Sequence, residues 1–344
     1  MRRIGILACA AIVTALLVVT PTASAKIKLA GGSTTLRLAP LTAEALARGG
    51  VKVAPIDPAK VRGNGVAFPI TGGAINPASA AGRINHSGGL AFRAGGTPVA
   101  LRNFRVHVGA KRAILTAKVG PGRLTVLSLS LANAKVVRKG LATVVKGVRA
   151  KLTGEAAQAL NGAFSTDLFS KGLAIGSVTV RAKPAEVELA GGATTLALDP
   201  GAATALGSLN ITAAPVDPAG ATGAGLAFGI TGGKANARTF AGSIRHSGGI
   251  RLSRGNTVVD LTSFKINVDS DPDLTALVGG QRVSILGLAL SQLTASVQGR
   301  RITLGAVKAS LTATAAGALN SAFSTSAFTQ GLVLGTATVA ARAR

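Results

Sequence analysis

The chain reads as an all-β protein: two tandem β-sandwich domains, each with one or two short α-helices. Three observations predict this. Glycine is abundant, 45 of 344 residues, about double ordinary usage, and works against long helices. Short runs rich in Val, Leu, Ile and Thr alternate with period two between Gly-rich turns, as half-buried strands do. The whole pattern is then written twice at an offset of 160 residues. An apolar content of 47% is enough for a sizeable core, and with ten Phe but no Trp or Tyr that core must be aliphatic.

The first element is a leader, residues 1–25. Met1, Arg2 and Arg3 precede the apolar run Ile4 to Val19, and Ala23-Ser24-Ala25 has the small-residue pattern of a secretory cleavage site. The 16 apolar residues fall short of the roughly 20 that span a bilayer. Cys9, the sole cysteine, is expected to leave with the leader, so disulfides, thiolate metal sites and cysteine nucleophiles are excluded from the mature chain. The expectation is a protein secreted or held at a cell wall, with no transmembrane anchor after cleavage near Ala25.

Two homologous domains follow, residues 26–183 and 184–344. Leu29-Ala-Gly-Gly returns at Leu189, Pro55-Ile-Asp-Pro-Ala as Pro215-Val-Asp-Pro-Ala, and Gly65-Val-Ala-Phe-Pro-Ile-Thr-Gly-Gly as Gly225-Leu-Ala-Phe-Gly-Ile-Thr-Gly-Gly. His86-Ser-Gly-Gly returns at His246, and Phe104 at Phe264; a one-residue deletion then moves Leu160-Asn161 and Phe164 to Leu319-Asn320 and Phe323. So long a period marks a duplicated domain, since solenoid units run about 20 to 50 residues.

Within the first copy, strands are predicted at Thr34 to Leu38, Val51 to Ala54, Val66 to Ile70, Leu90 to Arg93, Val99 to Val108, Ile114 to Val119, Val126 to Leu131 and Ser177 to Ala182. In Phe104-Arg-Val-His-Val108 the apolar residues share one face and Arg105 with His107 the other. Leu41 to Arg48 is a short helix closed by Gly49. Glu155 to Phe164 is a second, with Thr153 as N-cap, Glu155 near the positive end of the dipole, and Ala156, Leu160 and Phe164 on one face.

Charge separates the copies. The formal net charge is +26, and residues 26–183 hold 24 basic and 4 acidic side chains against 12 and 8 in residues 184–344. A macromolecule bound through such a field is a polyanion, here an anionic cell-wall polymer or lipid headgroups. Nucleic acid fits poorly, because export removes it and no Tyr or Trp is present for base stacking.

Chemistry-bearing residues are few. His86 and His246 occupy equivalent places in Ile-X-His-Ser-Gly-Gly, either as a hairpin connection whose His bonds backbone or as a ligand site. His107 becomes Asn267 in the second copy and reads as surface. Asp269-Ser-Asp271-Pro-Asp273 opens like a calcium loop, but Leu274 and Gly280 stand where that loop needs Gly and Glu, so it reads as a solvated acidic loop. Asp57 and Asp217 sit in Pro-X-Asp-Pro turns, no acid pair is duplicated and no G-x-S-x-G elbow occurs, so no enzymatic activity is expected.

Gly65-Val-Ala-Phe-Pro, Gly82-Arg-Ile-Asn-His86-Ser-Gly-Gly-Leu90, Leu101-Arg-Asn-Phe-Arg-Val, Ala113 to Val119, Val126 to Leu131, and Leu152 to Phe164 ahead of Phe169 and Gly172 together resemble the HtaA-type domain of exported actinobacterial heme-uptake proteins. Gly225 to Phe228, Gly242 to Ile250, Leu261 to Val268 and Leu311 to Phe323 match in the second copy. The resemblance implies a β-rich domain that takes up heme at the cell surface, with an early tyrosine as axial ligand and the turn histidine supporting it. Only the histidine carries over, to His86 and His246; the early aromatic segment is replaced by Gly31-Gly-Ser-Thr-Thr-Leu-Arg-Leu and no Tyr exists in the chain. Among the donors that commonly hold ferric heme, the mature chain retains imidazole. The resemblance thus leaves two expectations: heme held by His86 or His246 with iron acquisition as the role, or a related anionic apolar ligand held by apolar contact and Arg or Lys. The alternative is a non-enzymatic wall-associated protein that binds anionic polymers through its basic first domain.

Overall fold

Alternating apolar and polar side chains put one face of a strand in a core and the other in water, and the computed structural model has 24 strands and four short helices among its described residues. The structure describes residues 25–94 and 96–344, so the predicted leader lies outside the described residues except for Ala25.

The first unit runs β1 (Ile27–Leu38), α1 (Pro40–Arg48), β2 (Lys52–Ile56), β3 (Lys60–Arg62), β4 (Gly65–Ile75), β5 (Gly82–His86), β6 (Gly89–Ala94), β7 (Thr97–Val108), β8 (Ala113–Val119), β9 (Gly122–Ser130), β10 (Lys135–Lys139), β11 (Ala142–Leu152), α2 (Gly154–Phe164) and β12 (Ala174–Pro184). The second repeats it as β13 (Glu186–Leu198), α3 (Pro200–Ser208), β14 (Thr212–Val216), β15 (Gly220–Thr222), β16 (Gly225–Asn236), β17 (Gly242–His246), β18 (Gly249–Arg254), β19 (Thr257–Val268), β20 (Asp273–Val278), β21 (Gln281–Ala289), β22 (Thr294–Gln298), β23 (Arg301–Leu311), α4 (Ala313–Phe323) and β24 (Val333–Ala343). All eight predicted strands of the first copy coincide with strands, and both predicted helices form.

The all-β class and the two short helices per copy hold, but two stacked sheets are replaced by one sheet that closes on itself. In antiparallel order β7-β5-β4-β1-β12-β11-β9-β8, the last strand pairs with the first and completes a ring of eight. Closure follows from the length of β7. Its first half pairs with β6 and its second half with both β5 and β8, across a register shift between Arg102 and Arg105 where Asn103 takes φ 49°. Such a bulge sharpens the local bend and lets a sheet curl into a barrel. The second unit closes in the same way through β19 and β20.

Leu36, Phe68, Leu90, Phe104, Leu115 and Val180 point inward in the first barrel, while Arg93, Arg102, Arg105, Arg149 and Arg181 point to solvent. That polarity is the reverse of a barrel whose outer face meets lipid. No described helix is long and apolar enough to cross a membrane. Only Ala185 separates β12 from β13. Its N–H donates to the Lys28 carbonyl at 2.8 Å and its carbonyl accepts from the Ala237 N–H at 2.9 Å, so the joint is hydrogen-bonded to both units. Leu141 packs against the second core, and the Arg138 guanidinium donates to the Arg344 carbonyl.

Candidate functional site

The duplicated motifs converge on one corner of each barrel. β5 and β6 are not a hairpin: both pair with β7, one after the other, and Ser87-Gly88 is a bend inside what is otherwise a single long strand. On the other side of that bend the partner changes from β4 to β2. The hairpin reading fails because pairing, not loop length, defines a hairpin. Gly88 has φ 78°, and a Cβ there would lie 2.6 Å from Ile56 O and Ala59 N, so the repeated His-Ser-Gly-Gly and Pro-X-Asp-Pro-Ala motifs are packed against each other.

His86 lies at this bend and is 5% exposed. Its Nδ1 is 3.1 Å from the Phe104 carbonyl and its Nε2 2.6 Å from Thr34 Oγ1. A carbonyl only accepts, so Nδ1 donates to Phe104, and Nε2 of the neutral ring accepts from the Thr34 hydroxyl. The Phe104 ring meets Phe68 edge to face at 4.9 Å. The second copy reproduces the arrangement: His246 Nε2 lies 2.7 Å from Thr194 Oγ1, Nδ1 3.2 Å from the Phe264 carbonyl, and Phe228 stands 5.0 Å from Phe264. Burial pushes each imidazole pKa down to about 4, partly offset by the backbone hydrogen bond. Thus both predicted ligand residues have both ring nitrogens engaged. Each histidine thus bonds one backbone carbonyl and one threonine hydroxyl. His107 is exposed on β7, as its alternation predicts.

Each barrel also holds an apolar cavity. That of the first barrel has a volume of about 70 Å³ and that of the second about 110 Å³, and Thr34 and Thr194 respectively stand in walls otherwise made mainly of Leu, Ile, Val and Phe. Sites for drug-sized ligands run to roughly 300–1,000 Å³, so neither cavity takes a planar macrocycle in this conformation.

The remaining candidates separate into structural and surface groups. Arg123 donates to the Asn103 carbonyl at 3.0 Å and to Thr116 Oγ1 at 3.2 Å, and Arg282 does the same at Ser263 and Thr275, so this duplicated arginine clamps the β7 bulge. Sequence reasoning counted Arg123 simply as one of the basic residues. The signal that could have singled it out was its return as Arg282. Asp269 accepts the Asp271 N–H at 2.9 Å and Asn267 donates to Asp273 at 2.7 Å, which closes the acidic loop on itself. Among the described residues no group of three or more His, Cys, Asp or Glu gathers to hold a metal. Asp57 and Asp217 precede cis prolines in their turns.

The cations of the first unit lie almost entirely outside the barrel, and among its described residues one ion pair forms, Glu44 with Arg48 at 3.9 Å. Across β3, β4, β1 and β12 they border a groove of about 420 Å³.

No family model and no curated protein matches the sequence. Among solved structures, the chain is similar to the C-terminal domain of HtaA from Corynebacterium glutamicum, at 15% identity and a TM-score of 0.37, covering 45% of this chain and 98% of that one. A domain-swapped dimer of a variant of the same domain aligns at 19% identity and a TM-score of 0.30, covering 39% of this chain and 86% of that one. In these comparisons the chain is similar, over rather less than half its length, to one HtaA domain.

Proposed function

We propose that the protein is a non-enzymatic, exported binder of anionic polymer at the cell wall, acting through the outer surface of its first barrel. The observation that carries this reading is the surplus of cations there: 24 against 4 acids, with a single ion pair among the described residues. Unneutralised charge on a rigid outer face attracts a polyanion by long-range steering, and the attraction is screened within about 10 Å at 0.1 M salt. Binding of the mature chain to isolated cell walls should therefore be tight at low ionic strength and fall steeply between about 0.05 and 0.5 M salt. Salt-independent binding, or none at low salt, rejects the reading.

A second reading, capture of heme or a related anionic apolar ligand, is favoured by Thr34 and Thr194, each lining an apolar cavity and hydrogen-bonded to a buried histidine outside that lining. For iron to reach Nε2, the threonine hydroxyl must turn away and the barrel must widen. A hemin titration tests it. Saturable growth of a shifted Soret band, abolished when His86 and His246 are both replaced by Ala, supports the reading; no saturable change dismisses it.

A further inference from the structure

The groove on the first barrel has a specific cause. Rows of cross-strand neighbours run Arg181-Ser33-Pro69 and Lys60-Ala67-Thr35, with Lys183 beside Gly31 and Arg62 beside Gly65. The two middle strands, β1 and β4, thus turn small outer residues to solvent, whereas the flanking strands β3 and β12 present long cations. Small residues between two rows of long side chains make a concave channel. Lys60, Arg62, Arg181 and Lys183 are all exposed, none is in an ion pair among the described residues, and no acid lines the channel.

The second barrel is an internal control. Its floor keeps the same character, with Gly191, Ala193 and Thr195 on β13 and Gly225, Ala227 and Gly229 on β16. Its rims do not. The register places Gly220 and Thr222 where the first copy has Lys60 and Arg62, and Ala340 and Arg342 where it has Arg181 and Lys183. Three of the four cations are missing while the scaffold beneath them is intact, so the fold does not need them.

We infer that this channel is a binding site for a chain of phosphoryl groups laid between the β3 and β12 rims. This rests on the reading that the first unit binds polyanions, and narrows it to one place and one ligand chemistry. Successive cations on a rim are about 6.6 Å apart along the strand, and the rims are about 14 Å apart across three strand spacings. A chain in the channel meets charge on both sides. Arginine forks bind phosphoryl oxygens in a bidentate manner and lysines add point charge. A bilayer surface, being flat, does not reach the Gly31–Ser33 floor, whereas an extended polymer does.

The test uses the full mature chain and inorganic polyphosphate as probe, followed by calorimetry. In one variant, Lys60→Gly, Arg62→Thr and Arg181→Ala install the residues the second barrel already tolerates. In a second, Lys135→Ala, Lys139→Ala and Lys146→Ala remove equal charge from the exposed β10–β11 ribbon. The groove variant should lose at least tenfold in affinity and the ribbon variant less than threefold. Gly220→Lys, Thr222→Arg and Ala340→Arg should confer binding on the second barrel, seen as a second equivalent of polyphosphate. Equal losses in the two charge-removal variants overturn the groove and leave the diffuse polyanion reading standing. Absence of polyphosphate binding by the unaltered chain overturns the groove, and absence of binding to cell walls as well overturns that reading too. Groove-dependent binding of polyglutamate with equal affinity, or of phosphatidylglycerol vesicles in preference to polyphosphate, also refutes the phosphoryl-chain assignment.

Discussion

Thr34 and His86 form a buried pair in which each partner removes the cost of burying the other. The hydroxyl reaches Nε2 at 2.6 Å, and the imidazole in turn satisfies the Phe104 carbonyl beside the β7 bulge. Thr34→Val keeps the shape and deletes the donor, leaving a buried ring nitrogen without a partner. The expected loss is about 1–3 kcal/mol, measured by urea unfolding, and Thr194→Val should cost the second unit a similar amount. If instead the pair is kept only to capture a ligand, these substitutions leave stability unchanged. The sequence singled out this histidine by its duplication, but its state depends on Thr34, 52 residues away, and on Phe104. No spacing rule connects residues that meet only because β1, β5 and β7 share a barrel wall.

Elements differ in how much of their cause is local. The second helix is the local extreme: Thr153 Oγ1 accepts the Ala156 N–H at 3.1 Å and donates to the Thr125 carbonyl at 2.6 Å, as an N-cap should, and the second copy repeats this with Thr312. Thr153→Ala should therefore destabilise the first unit by about 1–2 kcal/mol, read from chemical denaturation, while Thr153→Ser recovers most of the loss. Past the helix, Asn161 holds the following turn through two hydrogen bonds to the Phe169 backbone, at 2.8 and 3.0 Å. At the other extreme is β11. Six of its apolar residues are buried, yet Lys146-Gly147 interrupts the alternation where Gly147 takes φ 79° and the register slips between Val145 and Val148. A bulge breaks the period on which strand recognition relies, so this strand was not legible.

For the molecule as a whole, acid is the expected weak point, and the two buried imidazoles set the window. Unfolded, each ring takes a proton near pH 6.5; folded, only near pH 4. The unfolded state binds more protons between these values, so stability declines as pH falls from 6.5 to 4, by on the order of 3 kcal/mol for each histidine. Urea midpoints followed from pH 7.5 to 4 should fall across that window, and a His86→Asn, His246→Asn chain should show a flatter profile. A decline confined below pH 4 contradicts the assignment. Because Ala185 is bonded to both barrels, denaturation of one unit should also loosen the joint beside the other.

What the sequence determined by itself was whatever repeats or alternates: the duplication, the all-β class, the places of eight strands, the two faces of Phe104 to Val108, the capped helix and the imbalance of charge between halves. These are legible because periodicity and capping are set within a few residues. Closure of each sheet, engagement of both histidine nitrogens and convergence of Lys60 with Arg181 across small-residue strands were decided only by the tertiary structure. The reason is that pairing register joins segments more than a hundred residues apart, and a side chain's availability depends on which of those segments reaches it first.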